Sequence, residues 1–399
     1  MVEKRVFCSL VLFALLAFRH GSTGDSSSFA RTGGTHFVVN GVPFFSNGFN
    51  AYWLMLKASD PTQRDKVSST FQQASSFGMS VIRTWAFSDG GDGALQYSPG
   101  SYNEEMFEGL DFVISEAKKH GVYLILSFVN NYADFGGRKQ YVQWAKDMGQ
   151  SLSSDDEFYS NDVVKELYRR YIQTVLTRVN TITGVAYKDD PTIFAWELIN
   201  EPRCQSDLSG RTLQNWIAEM ADHVKSIDSN HMLEIGLEGF YGESDPEKKQ
   251  FNPGYEVGTD FISNNMISGI DFATIHAYPD QWISSGSEDA QMAFLKSWIQ
   301  SHTDDSGAII KKPLMITEFG RSSKTSGYTE GERNAVYWAV YNMIFDSARE
   351  GGSCAGGLFW QVLTEGMDDL KDGYEIILSE SSSTATIISQ QSRRISILD

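Results

Sequence analysis

The fold of this 399-residue chain is most constrained by a regular alternation of short apolar runs with longer amphipathic stretches. The apolar runs occupy residues 44–50, 81–85, 123–128, 193–198, 233–237, 272–276, 314–319 and 357–361. Helical periodicity between them is clearest at residues 103–119, 161–180, 214–227 and 332–349. Short buried strands that alternate with helices indicate parallel βαβ units.

Eight such units predict an α/β fold, a single (β/α)8 TIM barrel, which needs about 250 residues before loop insertions. The additional residues would form extended βα loops, such as 129–150 and 238–269. An open doubly wound sheet is the alternative. It is disfavoured because no G-x-G-x-x-G follows the first strand.

The first 24 residues have the composition of a secretory signal peptide. Lys4 and Arg5 precede an apolar run at 6–18, and small residues follow at 22–24. That run is shorter than the ~20 residues that span a bilayer. Because no Pro/Gly/Ser-rich linker interrupts the remainder, we expect one barrel domain at 25–399. We also expect an extracellular protein that has no membrane contact after cleavage.

The charge balance argues against polyanionic partners. The chain has 33 Lys and Arg against 51 Asp and Glu, a formal net charge of -18. Binding to nucleic acid or to an acidic membrane surface requires clustered positive charge. A neutral substrate is therefore favoured over nucleic acid.

Polar side chains stand at the ends of several predicted strands, where barrel enzymes carry their catalytic groups. These residues are Arg83, Trp85, Asn130, Asn131, Glu197, Asn200, Glu201, His276, Tyr278, Glu318 and Trp360. Two carboxylates on nearly opposite strands, Glu201 and Glu318, converge on the barrel mouth. One protonated and one ionised carboxyl group are what cleavage of a glycosidic bond requires. Glu197 is the competing candidate, expected one layer deeper as a buried structural acid.

The motifs at these strand ends resemble those of a known enzyme family. ELINEP and ITEFG resemble glycoside hydrolases of clan A, family five. VIRTWAF, NNYADFGGRKQYVQWA, FAWELINEPRC, IHAYPDQW, GLFWQ and DGYEIILSES extend the resemblance to plant endo-β-1,4-mannanases over essentially residues 25–399. The FGGRKQYV and NEPRC contexts favour mannanase over cellulase.

The resemblance implies a role for each matching position. Glu201 would be the general acid/base and Glu318 the nucleophile of a retaining enzyme. Asn200 would bind the 2-hydroxyl of the cleaved sugar, while Arg83, Tyr278 and His276 would hold Glu318 in place. Trp360 would be the stacking floor and Trp85 a wall of the cleft. The implied substrates are mannan, glucomannan and galactomannan.

Neither a metal nor a cofactor is expected. The histidines form no H-E-x-x-H or comparable ligand spacing, and no phosphate-binding lysine follows the glycines at 90, 91 and 93. Cys204 and Cys354 would lie at opposite ends of a barrel, so we expect both to be free. Trp53 and Trp282 are further cleft candidates, beside Trp85 and Trp360.

Three alternatives remain open at the level of sequence. The same site could transfer a mannosyl group to another sugar, because hydrolysis and transglycosylation share the covalent intermediate. It could act on another β-1,4-glycan, as an endoglucanase does. A non-catalytic carbohydrate-binding barrel is the alternative from a different class, and the intact Glu201 and Glu318 pair argues against it.

Overall fold

Parallel strands that follow one another in the chain form the central sheet. The computed structural model describes residues 29–91, 93–283 and 286–398, so the predicted signal peptide lies outside the described residues. The strands are β1 (Arg31–Gly33), β2 (His36–Val39), β3 (Val42–Phe44), β4 (Ser46–Asn50), β5 (Val81–Trp85), β6 (Gln96–Ser98), β7 (Ser101–Tyr102), β8 (Tyr123–Ser127), β9 (Ile193–Glu197), β10 (Met232–Glu234), β11 (Ala273–Ala277), β12 (Leu314–Phe319) and β13 (Cys354–Phe359). The helices are α1 (Leu54–Ser59), α2 (Arg64–Ser76), α3 (Glu104–His120), α4 (Gly137–Asp147), α5 (Asp162–Thr177), α6 (Arg211–Ile227), α7 (Phe261–Asn265), α8 (Pro279–Trp282), α9 (Glu288–Asp305), α10 (Glu330–Arg349) and α11 (Ser382–Ile395).

The order of the strands in space shows that the sheet is a barrel. Within the described residues, eight strands are neighbours in the order β10-β9-β8-β5-β4-β13-β12-β11. The first and last of these in the chain, β4 and β13, pair in parallel with Asn47 opposite Gly357. Because the first strand is paired with the last one, and the others follow in chain order on either side, an open doubly wound sheet is excluded. The predicted (β/α)8 barrel is confirmed.

The remaining seam, between β10 and β11, is joined by hydrogen bonds from each strand to residues that flank the other. The backbone N–H of Asp271 donates to the carbonyl of Leu233 at 2.8 Å, and the N–H of His276 donates to the carbonyl of Glu238 at 3.0 Å. The loop after β10 therefore completes the wall of the barrel. It also brings Glu238 beside His276.

An antiparallel sheet of β1, β2 and β3 covers the amino end of the barrel. Phe37 on β2 is fully buried, and its ring centroid lies 5.1 Å from those of Phe194 and Phe272. Burial of such an aromatic side chain stabilises the fold by roughly 1.5–3 kcal/mol. With this end filled by apolar rings, the carboxyl end is left as the face on which a site can form.

Two of the predicted strands differ by three residues at one end from the observed ones. The last strand begins at Cys354, three residues earlier than predicted, because Cys354 pairs with Leu314 on β12. The fifth barrel strand ends at Glu234, because Gly236 turns away with φ 94°. A Cβ atom on Gly236 would lie 1.9 Å from the carbonyl oxygen of Ile199, so glycine allows the close approach.

The two cysteines and the helices agree with the sequence-based expectations. Cys204 and Cys354 are buried and free. Helix α3 begins after Asn103, whose side chain accepts from the N–H of Glu105, and its carboxyl end is capped by Gly121 with φ 66°. None of the helices within the described residues is long and apolar enough to cross a membrane.

Candidate active site

A cleft of about 700 Å³ opens at the carboxyl end of the barrel. It is lined by Tyr52, Trp85, Asn130, Tyr132, Asp134, Phe135, Asn200, Glu201, Arg203, Glu238, Tyr278, Gln281, Trp282, Glu318, Trp360, Asp372 and Tyr374. The lining therefore combines carboxylates with several aromatic rings. This combination suits a neutral, hydroxyl-rich ligand, since aromatic faces supply affinity and a few polar groups supply orientation.

The two carboxylates predicted from the strand ends meet in this cleft. Glu201 follows β9, and Glu318 lies near the end of β12. One oxygen of each carboxyl group and a ring nitrogen of His276 all lie within 4.8 Å of one another. A sugar bond placed between the two carboxyl groups could be protonated by one and attacked by the other.

Arg83 on β5 organises the floor of this site. Its guanidinium donates to both oxygens of Glu197, at 2.5 and 2.8 Å, and to Oε1 of Glu318 at 2.6 Å. It also donates to Oδ1 of Asn200 at 2.7 Å and to Oδ1 of Asn50 at 2.9 Å. The fully buried cation thus fixes four side chains from three other strands and the loop after β9.

The other oxygen of Glu318 is held by Tyr278, whose hydroxyl donates to Oε2 at 2.6 Å. His276 lies between the two carboxyl groups. Its Nδ1 is 2.5 Å from Oε1 of Glu201 and 3.5 Å from Oε2 of Glu318. Within the described residues its buried Nε2 has no hydrogen-bond partner, so Nδ1 makes the polar contact of this ring.

Burial raises the pKa of both Glu201 and Glu318 above the ordinary value of a glutamic acid. For Glu318, the charge of Arg83 and the hydrogen bond from Tyr278 oppose that rise. For Glu201, the charge of Arg203 has the largest opposing effect on the pKa. Burial also lowers the pKa of the His276 imidazole, which favours the neutral ring.

A second carboxyl pair lies beneath the cleft. Glu197 and Glu234 are opposite each other on β9 and β10, and both are fully buried. Burial acts to raise the pKa of Glu197, but the charge of Arg83 outweighs this effect and holds the pKa below its ordinary value. Burial and the charge of Glu197 raise the pKa of Glu234 well above its ordinary value. The pair therefore carries one negative charge beside one arginine, as expected for a structural acid at Glu197.

The backbone at Glu201 is itself constrained. Its φ of 52° lies in the left-handed region that residues other than glycine rarely adopt. The N–H of Glu201 donates to the carbonyl of Gly236 at 2.9 Å, and the N–H of Asn200 donates to the carbonyl of Val129 at 2.9 Å. Bonds to the segments that follow both neighbouring strands hold this conformation and direct the Glu201 side chain at the cleft.

Most predicted site residues come together in the cleft. Asn200, Glu201, Tyr278, Glu318, Trp85 and Trp360 line it, while Arg83 and His276 lie directly beneath. Trp282 also lines the cleft. Trp53, the other tryptophan candidate, does not: it is fully buried, and its indole N–H donates to the carbonyl of Val362 at 2.9 Å.

The sequence reasoning missed several contributors. Asn50 could have been predicted from the rule that polar residues at strand ends form the site, because it is the last residue of β4. Tyr52, Arg203, Glu238, Asp372 and Tyr374 are on loops, whose positions follow from no periodicity. Arg203 donates to both oxygens of Glu238, at 2.8 and 2.6 Å, close to Glu201.

The Glu201, His276 and Glu318 atoms are near enough to ligate a cation. The Arg83 guanidinium, however, already occupies Oε1 of Glu318. Its positive charge opposes a second cation there. The donor set therefore fits acid–base chemistry better than metal binding.

Known proteins match this chain over most of its length. The model of the GH family 5 beta-mannosidase-like family matches residues 27–366. The chain belongs to this family. The predicted resemblance to family five is thereby confirmed.

Two plant members of this glycoside hydrolase family show how close the relation is. Putative mannan endo-1,4-beta-mannosidase 9 of Oryza sativa subsp. japonica is 60% identical over 388 residues, which cover 97% of this chain and 94% of that protein. Mannan endo-1,4-beta-mannosidase 7 of Arabidopsis thaliana is 58% identical over 373 residues, which cover 94% of this chain and 86% of that protein.

A solved mannanase structure agrees in fold. The hyperthermostable endo-1,4-beta-D-mannanase from Thermotoga petrophila RKU-1 superposes with a TM-score of 0.76 at 30% identity. The match covers 88% of this chain and 99% of that one.

Replacing Arg83 with methionine should destabilise this family-five barrel strongly. The change leaves Glu197 and Glu318 buried without their common counter-charge. We expect the free energy of unfolding, measured with denaturant, to fall by about 3–5 kcal/mol. Arg170→Met is the matched control, because its exposed pair with Glu166 contributes only about 0.5 kcal/mol. Equal stabilities of the two variants would contradict this account of Arg83.

Proposed function

We propose that this protein is an endo-β-1,4-mannanase that hydrolyses internal bonds of mannan, glucomannan and galactomannan with retention of configuration. The observation that carries the mechanism is the approach of Glu201 and Glu318, whose nearest oxygens lie within 4.8 Å. Retaining enzymes separate their carboxyl groups by about 5–5.5 Å, and inverting enzymes by about 6.5–9.5 Å. The names of the plant relatives support mannan as the substrate.

Glu318 is the proposed nucleophile. Hydrogen bonds from Arg83 and Tyr278 stabilise its ionised form and leave its oxygens aimed at the cleft. In the first step, a Glu318 oxygen forms a bond to the anomeric carbon as the bond to the leaving oxygen breaks. The product of this step is a covalent glycosyl-enzyme.

Glu201 is the proposed acid and base. Burial raises its pKa, so it can hold the proton that it gives to the leaving oxygen. In the second step, ionised Glu201 takes a proton from water while the water oxygen bonds to the anomeric carbon. The bond to Glu318 then breaks, and both carboxyl groups return to their starting states.

Asn200 and the aromatic rings are the proposed substrate contacts. Asn200 donates to Oδ1 of Asn130 at 3.0 Å through Nδ2, which retains a second N–H for the 2-hydroxyl of the cleaved sugar. Trp360 is the proposed floor and Trp85 the proposed wall. The open shape of the cleft suits a chain that passes through it, as endo cleavage requires.

Secretion is a further part of this proposal. Residues 1–24 have the composition of a signal peptide. The match to the family model begins after them, at residue 27. Expression of the full chain in plant cells, followed by N-terminal sequencing of the protein in the medium, tests this. Retention of intact residues 1–24 inside the cells would contradict it.

Digestion of mannohexaose tests the catalytic proposal. Products are identified by chromatography, and the first anomer is identified by proton NMR. We expect internal cleavage and initial release of the β-anomer, with much slower cleavage of carboxymethylcellulose. Initial α-anomer contradicts the roles of Glu201 and Glu318, and faster cleavage of carboxymethylcellulose contradicts the substrate. Products longer than mannohexaose would indicate transglycosylation, and binding without cleavage would indicate a non-catalytic barrel.

The pH dependence of kcat/KM should be bell-shaped, with its maximum at acidic pH. As pH falls through the pKa of Glu318, the nucleophile is protonated and activity is lost. As pH rises through the pKa of Glu201, the proton for the leaving oxygen is lost. Because burial raises both pKa values, the maximum should lie above the ordinary value of about 4.3. A rate that stays constant into alkaline pH would contradict this pair.

A further inference from the structure

The polar edge of Trp360 is bound inside the protein. Its indole N–H donates to Oδ2 of Asp372 at 2.6 Å. Its ring stacks on that of Tyr52, with centroids 5.8 Å apart and planes 10° apart, and it contacts Trp85 at 6.1 Å. Because the N–H is already used, Trp360 offers the cleft a ring face and no hydrogen-bond donor.

Asp372 is held on both of its oxygens. Oδ2 accepts a second bond, from Nε2 of the fully buried Gln361, at 2.9 Å. Oδ1 accepts from the backbone N–H of Tyr374 at 2.8 Å. Three donors therefore fix the carboxylate, and its position does not depend on Trp360 alone.

The segment of residues 372–374 also contacts the side of the cleft that holds Glu318. The ring of Tyr374 packs edge-on against Tyr278 at 5.2 Å, and its hydroxyl donates to Oδ2 of Asp280 at 2.9 Å. Tyr278 in turn donates to Glu318. Residues Asp372 to Tyr374 thus link the floor of the cleft to the support of the carboxylate.

We propose that Asp372 is a positioning residue that sets the plane of the Trp360 ring for the sugar at the point of cleavage. The inference rests on the proposed function, since it assigns Asp372 an effect only through Trp360. A charged acceptor forms a stronger and more directional hydrogen bond than a neutral one. Small displacements of groups that contact a reacting sugar are costly, and a 1 Å error lowers rates about 100-fold.

The test is a double-mutant cycle on mannohexaose, with Asp368→Asn as control. Asp368 is an exposed acid of the same loop and is not part of the cleft. We expect Asp372→Asn to lower kcat/KM about 10-fold and Asp372→Ala about 100-fold, with Asp368→Asn unchanged. In a Trp360→Phe background, which lacks the N–H, Asp372→Asn should change kcat/KM by less than about two-fold.

Each outcome has one meaning. If Asp372→Asn lowers kcat/KM equally in the wild-type and Trp360→Phe backgrounds, the positioning role is overturned, because the loss then does not depend on the indole N–H. If Trp360→Phe alone leaves kcat/KM unchanged, the indole N–H bond is not needed and the positioning role is also overturned. If the wild-type protein does not cleave mannohexaose, the proposed function itself is wrong.

Nuclear magnetic resonance provides a test that does not depend on how well the Asp372 variants fold. In ¹⁵N-tryptophan-labelled wild-type protein, the Trp360 indole proton is identified by its loss in Trp360→Phe. A proton bound to a carboxylate should resonate downfield and exchange slowly. A resonance at the position of a solvent-exposed indole would overturn the proposal.

Discussion

Replacing Glu318 with alanine is expected to lower kcat/KM on mannan by at least about 10⁴-fold, comparable to the loss of a nucleophile in other covalent mechanisms. The variant lacks the oxygen that bonds to the anomeric carbon. Arg83 and Tyr278 remain but have no charge to orient. Initial rates on mannan, together with the thermal unfolding midpoint, measure the effect.

Glu108→Ala is the matched control for this variant. Glu108 is an exposed glutamate on α3, outside the cleft, so activity should be unchanged. Wild-type turnover in Glu318→Ala would refute the nucleophile assignment.

Azide tests the geometry of the same variant. With a dinitrophenyl mannoside, azide can occupy the space left by Glu318 and attack from the side opposite the leaving group. The nitrogen–carbon bond forms as dinitrophenolate departs, so the expected product is the α-mannosyl azide. A β-mannosyl azide from this variant would assign the missing carboxylate to the other face of the sugar.

The second large effect is expected for Glu201→Ala. General acid catalysis contributes typically 10²–10⁴-fold, so cleavage of mannan should slow by about that factor. A dinitrophenyl leaving group needs no proton, so the first step on that substrate should continue at a nearly normal rate. The second step lacks its base, and the glycosyl-enzyme should accumulate as a burst of dinitrophenolate.

The burst separates Glu201 from Glu318, because only a variant that retains the nucleophile can form the intermediate. In Glu201→Ala, azide attacks the glycosyl-enzyme, and the expected product is the β-mannosyl azide. Equal losses on mannan and on the dinitrophenyl substrate, with no burst, would contradict the role of Glu201.

Local sequence patterns predicted the architecture well, because strand and helix periods depend on neighbouring residues. Gly121 and Asn103 mark helix ends through their own backbone and side-chain chemistry. The predicted bounds of the last strand were wrong, because pairing with β12 decides where it begins. Trp53 was placed at the cleft because it follows a strand, whereas its indole is enclosed in the core.

The sequence by itself determined the kinds of groups at the barrel mouth: carboxylates after β9 and on β12, an arginine on β5 and an aromatic residue after β13. The tertiary structure decided how these groups are paired. Arg83 bonds to Glu197, Glu318, Asn200 and Asn50, and Asp372 bonds to Trp360. Such partners are distant in the chain and become neighbours only when the barrel closes. The distances between these groups and their protonation states therefore depend on burial and packing.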